Sequence, residues 1–351
     1  MKIGIIGGGF YGCYLAYKLI QLNNKKYEVT IFEKGKKLLS ESAINNQYRL
    51  HKGFHYPRSI STIKQTNEGS NYFLKEFKKF VYFPKYNIYA IHKNSLIKFQ
   101  DYIKIYKKNN ISFNILKEEK IKKFFRNPNN IEGAINVREG VIKLEDLYKF
   151  IKSKIKKAII KTNTTVDKID NVKKRIYFKK KHKDFDLIIN CTFINPNMGL
   201  EKKYFNIKYE IASMLHVENF LDKNTAITLM DGNFGSLYPI NSKTLTLSSV
   251  KHTPCKKFRS LNNYNKFLVS NNFKKYINQN SLKIINHLNK FFIMPKKINI
   301  KKITNSPKVK IIRDYDDQRL SIVKFDKNVI SILCGKLDAV YLTWNKIKSK
   351  I

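Results

Sequence analysis

Residues 1–20 read MKIGIIGGGFYGCYLAYKLI. Residues 3–6 form a short apolar run, as a strand buried on both faces requires, and residues 14–22 carry Leu15, Leu19 and Leu22 at helical spacing. Between them Gly7, Gly9 and Gly12 spell G-x-G-x-x-G. In that position Gly7 permits a tight turn, Gly9 lets a pyrophosphate approach the backbone, and Gly12 allows close helix–strand contact. The helix N-terminus meanwhile offers free N–H groups and a partial positive charge. A second strand at 28–33 ends on Glu33, whose carboxylate is placed to accept hydrogen bonds from a ribose. The pattern specifies an adenine dinucleotide site. An acid at this point disfavours a 2′-phosphate, so NAD and FAD fit better than NADP. The same stretch superficially resembles a secretory leader, but its glycines interrupt the apolar run such a leader needs.

Further along, helices are expected at 60–80, 96–107 and 144–155, the last with Leu144, Leu147, Ile151 and Ile155 in step. A strand is expected at 86–92 and short strands at 164–169, 175–179 and 185–190. Residues 209–250 alternate as antiparallel strands do. A long helix over 264–291, strands at 320–325 and 329–333, and a closing helix from Gly335 complete the reading. No repeat and no Gly/Ser linker is visible, so any two domains are interleaved.

The chain has 351 residues, with 69 Lys+Arg against 26 Asp+Glu and a formal net charge of +43. Eight of the 69 are arginines, leaving 61 lysines. Nucleic-acid recognition uses arginine more freely, so the excess reads as a solvated surface, the lysine-rich hairpin at 173–184 included. Cys13, Cys191, Cys255 and Cys334 lie far apart, which suggests neither a disulfide framework nor a zinc knuckle. His252 and Cys255 lack a second ligand pair, and no metal is expected. No run of about 18 apolar residues suggests a membrane span, and a cytoplasmic location is expected.

Residues 42–69, SAINNQYRLHKGFHYPRSISTIKQTNEG, carry a resemblance to the FAD-dependent oxidoreductases of the D-amino-acid oxidase superfamily, which include glycine oxidase, L-2-hydroxyglutarate dehydrogenase and glycerol-3-phosphate dehydrogenase. EGVIKLEDLYKFI (139–151), DLIINCT (186–192) and VISILCGKLDAVYLTW (329–344) resemble further segments of that family in the right order. One departure is Phe193, where many relatives have glycine. The resemblance implies an α/β fold in which a Rossmann-type FAD-binding domain (1–82, 136–205 and 311–351) is interleaved with an α+β antiparallel-sheet substrate domain (83–135 and 206–310). It implies that Gly7, Gly9, Phe10, Tyr11 and Gly12 meet the pyrophosphate, with Glu33 and Lys34 at the ribose. Val166 would meet adenine through its backbone, with Thr192 nearby. Asn45, Asn46, Gln47 and Arg49 would lie near the isoalloxazine, and Gly335, Lys336 and Leu337 would open the last helix beneath the flavin pyrimidine. A helix N-terminus and a lysine there would stabilise the negative charge of reduced flavin.

With FAD as cofactor, the protein must bind a small molecule and manage one proton. His51 and His55, expected to point the same way on an extended segment with Gly53, are the candidate bases. Arg319 is the candidate carboxylate anchor, against a salt bridge to Asp316 or Asp317. Tyr209 and Tyr238 are candidate cavity residues. The expected activity is oxidation of a CH–OH or CH–NH bond in a small, carboxylated metabolite by hydride transfer to flavin N5. Two alternatives stay open: a FAD enzyme acting on a modified tRNA base, and a non-catalytic flavoprotein. A nucleic-acid partner is not expected; peripheral membrane contact and oligomeric state are left open.

Overall fold

The computed structural model describes all residues except 24–25, 223 and 313–317. Its first layer is the sheet that the opening residues nucleate. Strand Lys2–Ile6 lies parallel to Glu28–Phe32 on one side and to Leu187–Asn190 on the other, with Ile5 opposite both Ile31 and Ile189. Val329–Leu333 extends the parallel set, Ile322–Asp326 closes that edge antiparallel, and Ile159–Lys161 closes the other. Strands buried on both faces read as continuous apolar runs, which explains why the central ones were visible in the sequence. Ile159–Lys161 was not expected. It is three residues long, and both of its isoleucines are exposed at the sheet's edge.

Helix Phe10–Asn23 is buried along most of its length and packs between this sheet and the helices Leu144–Lys154 and Val340–Lys348. The opposite face of the sheet is covered by the strands Lys168–Asp170, Arg175–Phe178 and Lys181–Asp184. Ile176, Phe178 and Phe185 pack there against Ile6, Phe32 and Ile188. The lysine-rich 173–184 segment is thus a hairpin whose apolar residues are buried while its lysines stand outside.

The second large sheet is mostly antiparallel. Its long strand Ile207–Glu218 pairs with Thr244–Ser249, Pro254–Phe258 and Ile300–Ile311, and the sheet continues through Gly235–Asn241, Thr225–Met230, Tyr86–His92, Ile131–Val137 and Phe113–Ile115. Helix Phe273–Leu288 covers one face through Ile284 and Leu288. A small sheet of Arg49–Leu50, Gly140–Ile142 and Val81–Tyr82 lies where the chain passes between the two large ones.

Several sequence expectations are corrected. Residues 164–167 are not strand, and the short strand there is Lys168–Asp170. The long helix is two helices, Leu261–Leu268 and Phe273–Leu288, separated at a Ser-Asn-Asn run where the Ser270 hydroxyl bonds the Phe267 carbonyl and competes with the helix ladder. The helix expected over 60–80 ends at Phe77, and the one expected over 96–107 is Phe99–Lys108. The closing helix begins at Val340, not at Gly335. Residues 51–59 are turns rather than strand, with Gly53 at φ 103°.

Candidate functional site

The first parallel strand ends at a turn built as its glycines require. Gly7 has φ 102°, and a Cβ there would stand 2.6 Å from the Cys191 carbonyl oxygen. A Cβ on Gly12 would stand 2.0 Å from the Gly7 carbonyl oxygen, whereas one on Gly9 would meet nothing within 4 Å. The turn is therefore closed behind and open at Gly9, the shape a pyrophosphate needs. The helix it feeds has no acid in its first turn to oppose an anion. Glu33 is buried, and its Oε2 and Oε1 accept the N–H groups of Gly8 and Gly35, each at 2.7 Å. An ionised carboxylate has about four lone-pair sites, so capacity remains for a ribose hydroxyl. At Thr192 the hydroxyl is buried with no hydrogen-bond partner among the described residues. Phe193 adopts φ 62°, keeping the left-handed backbone that glycine would favour.

These groups line one cavity of about 1210 Å³ between the two large sheets. That exceeds the usual range for a single small ligand, as a dinucleotide with a substrate beside it demands. Gly7, Gly9, Phe10, Tyr11, Glu33 and Lys34 line one region, together with Val166 and Thr192. Asn45, Asn46, Gln47, Arg49, His51, His55, Arg319, Gly335, Lys336 and Leu337 line the remainder. Gly12 sits behind the turn, outside the lining, because its role is helix–strand contact.

Asn45 and Gln47 tie the glycine-bearing half to the antiparallel sheet. The Asn45 amide donates to the Asn305 carbonyl at 3.2 Å, and the Gln47 amide reaches the Ser236 and Thr246 hydroxyls, each at 3.2 Å. Asn46 instead braces its own turn by donating to the Ala43 carbonyl. Although 51–59 is not strand, the His51 and His55 rings meet at 5.7 Å. Lys336 Nζ stands 3.2 Å from His51 Nε2 and 4.7 Å from the Tyr56 ring centroid. Burial and then neighbouring cations hold both imidazoles well below the ordinary histidine range. They are accordingly neutral, and an ammonium at Lys336 donates to His51 Nε2. Next to it, Asp338 is buried; burial raises its pKa, while the Lys336 charge opposes the rise.

Arg49 is buried. Its guanidinium lies 4.0 Å from the Tyr238 ring centroid, and Nη1 donates to Thr228 Oγ1 at 2.9 Å. Nε and Nη2 have no hydrogen-bond partner among the described residues. Behind it, the buried Glu139 accepts the Tyr89 hydroxyl and the Lys52 N–H. Arg319 is half-buried and lines the cavity, with Nη1 donating to the Gln318 carbonyl at 2.9 Å. Its expected alternatives, Asp316 and Asp317, lie outside the described residues. Neither tyrosine expected at the cavity lines it: Tyr238 supports Arg49, and Tyr209 packs against Tyr264.

The sequence reading missed Glu210, Thr228, Asp231 and Lys308, all cavity-lining and all from the antiparallel sheet or the turn that ends one of its strands. Glu210 is ion-paired with Lys310 at 2.7 Å. Lys308 is open to the cavity yet enclosed by protein. Burial, followed by the charges of Lys336, Lys310 and Arg319, pushes its pKa down to about 8. Nothing in their local sequence distinguishes these residues from other strand residues.

A parallel sheet with this glycine turn, an acid at the next strand's end and a long two-part cavity defines a dinucleotide-dependent oxidoreductase. The family of FAD-dependent oxidoreductases matches residues 2–213, and the chain belongs to it, with FAD as its cofactor. Across its full length the chain is 27% identical to FAD-dependent monooxygenase FPY4 of Fusarium mangiferae, covering 91% of that protein. It is 34% identical over 90 residues, a fifth of the relative, to FAD-dependent monooxygenase kojA of Aspergillus flavus. Among solved structures it resembles glycine oxidase from Geobacillus kaustophilus, with TM-score 0.70, 10% identity and coverage of 99% of this chain and 93% of that one. It also resembles L-alpha-glycerophosphate oxidase from Mycoplasma pneumoniae with FAD bound, with TM-score 0.68, 17% identity and coverage of 98% and 93%.

Proposed function

We propose that the protein oxidises a CH–OH or CH–NH bond in a small metabolite bearing a carboxylate. The observation that carries this reading is the buried Arg49, which lines the cavity with two guanidinium nitrogens unmatched. A buried donor without an acceptor is costly, and a bidentate carboxylate is the acceptor that suits a guanidinium fork. Lys308, Lys336 and Arg319 add positive charge around the same space, while Glu210 is already matched by Lys310.

In this reading Gly7, Gly9 and the helix start at Phe10 hold the FAD pyrophosphate, Glu33 its ribose, and residues 335–337 with Asn45–Gln47 border its ring. FAD, when bound, supplies a two-electron acceptor. Arg49 and Arg319 orient the substrate carboxylate. The cationic surroundings favour the deprotonated form of the substrate's amine or hydroxyl, so a strong base is not required. His51 is engaged by Lys336. Both imidazoles keep a buried Nδ1 without a partner among the described residues, and His55, which makes no hydrogen bond to Lys336, is the one placed to hydrogen-bond the substrate's amine or hydroxyl.

The test is ligand perturbation of the flavin spectrum. Benzoate should shift the visible band with an affinity at least about tenfold above that of benzamide, and Arg49→Gln should erase the difference. Equal affinities for the acid and its amide would overturn the reading. The monooxygenase activity named for the fungal relatives provides a second reading. It would require NADH or NADPH to reduce the flavin, so reduction by either nicotinamide without a carboxylated substrate would favour it.

A further inference from the structure

Asp231 terminates the strand Thr225–Met230 and lines the same cavity as Arg49. Its backbone is left-handed at φ 56°, a conformation aspartate tolerates better than most non-glycine residues, as the turn that ends the strand requires. The side chain is 5% exposed, and Oδ1 accepts Nε–H of Arg58 at 2.8 Å. Oδ2 is buried with no hydrogen-bond partner among the described residues. An ion-paired carboxylate with one oxygen unmatched is a ready acceptor whose charge is already balanced, so it suits a neutral hydroxyl better than a second cation. Asn94, Leu96 and Asn233 line the cavity as well, and Leu96 N–H donates to the Asp231 carbonyl at 2.7 Å.

Thr228, which fixes Arg49, lies in the strand Thr225–Met230, and Asp231 follows that strand's last residue, so the two recognition points belong to one segment of the cavity wall.

We propose that Asp231, held by Arg58, is a specificity-determining residue that accepts a hydrogen bond from a hydroxyl at the far end of the substrate. The substrate is then an acid that carries a hydroxyl remote from its carboxylate. The proposal rests on the carboxylate reading above and adds the second recognition point.

The experiment compares acids differing in one terminal hydroxyl: 2-hydroxyhexanoate against 2,6-dihydroxyhexanoate, and norleucine against 6-hydroxynorleucine. Anaerobic flavin reduction is measured with the FAD-loaded protein. Within the pair that reduces the flavin, the hydroxylated member should have a kcat/KM at least about tenfold higher, as a hydrogen bond to a carboxylate supplies. Asp231→Asn and Asp231→Ala should lower that preference towards unity. A wild-type preference near one overturns the proposal without any variant, and so does a preference that survives both substitutions. If no member of either pair reduces the flavin but an uncharged compound does, the carboxylate reading fails and this inference falls with it.

Discussion

At the residue scale, the functions assigned to single side chains follow from where their hydrogen-bonding capacity goes. Glu33 spends part of its capacity on the N–H groups of Gly8 and Gly35, so it shapes the turn as well as the proposed ribose site. Glu33→Gln replaces an ionised acceptor by a neutral amide. The expected loss is about 1–2 kcal/mol of FAD affinity, measured as a roughly tenfold rise in the FAD Kd by fluorescence quenching. Lys308 and Lys336 give a pH dependence with a definite sign. Both pKa values are lowered by burial, that of Lys308 to about 8, and the buried Asp338 is raised. Below about pH 8 the Lys308 ammonium is present, and above it that charge is lost. Benzoate affinity should therefore fall as pH rises through 8, with the benzamide titration as the control. The glycines and Glu33 were legible because their spacing and order encode their roles locally. Arg49 was placed near the cofactor by the resemblance and Arg319 was the candidate anchor, but the stacking of Arg49 on Tyr238 and its bond to Thr228 join residues far apart in the chain and were not legible.

At the element scale, the loop from Gly335 to Ala339 matters more than a helix N-terminus would. Gly335 is wedged so that a Cβ would lie 2.2 Å from the Arg319 carbonyl oxygen, and helix Ile60–Phe77 presses on the same loop through Gly69. A Cβ at Gly69 would lie 2.7 Å from the Asp338 carbonyl oxygen. Gly69→Ala should displace this loop and Lys336 with it. The expected result is a loss of about 1–3 kcal/mol in stability, as overpacking costs, together with weaker FAD retention, read from melting temperature and bound flavin. The displacement of the final helix start to Val340 was invisible in sequence because Gly335–Lys336–Leu337 has no feature separating a turn from a first helical turn. Helix 264–291 was misjudged for a related reason: the apolar spacing continues across Val269–Asn272, whereas the break is made by short polar side chains.

At the scale of the whole molecule, the cavity draws on the N-terminal strand and turn, the segment after Asn190, the antiparallel strands and the residues before the last helix. A cofactor bound in it would bridge parts of the chain that are remote in sequence. Anything that binds the folded form alone stabilises it. Protein stripped of FAD should melt lower, and FAD at 100 times its Kd should restore about 2.7 kcal/mol, measured by thermal melts with and without added cofactor. Sheet order explains what the sequence withheld at this scale. Alternation identified antiparallel strands in 209–250, but it could not disclose that Ile207–Glu218 pairs with Ile300–Ile311 and thereby brings Glu210 opposite Lys308. The lysine excess is spread largely over exposed positions, and the charges that bear on function are a few cavity-lining cations.

Direct reduction of the bound flavin by the CH–OH or CH–NH bond of a carboxylated substrate is tested by anaerobic mixing of the FAD-loaded protein with hydroxy acids and amino acids while the visible flavin band is followed. The account predicts that at least one such acid bleaches the band without any nicotinamide and that its neutral amide or ester does not. Bleaching by NADH or NADPH, with none by any carboxylate, would contradict it.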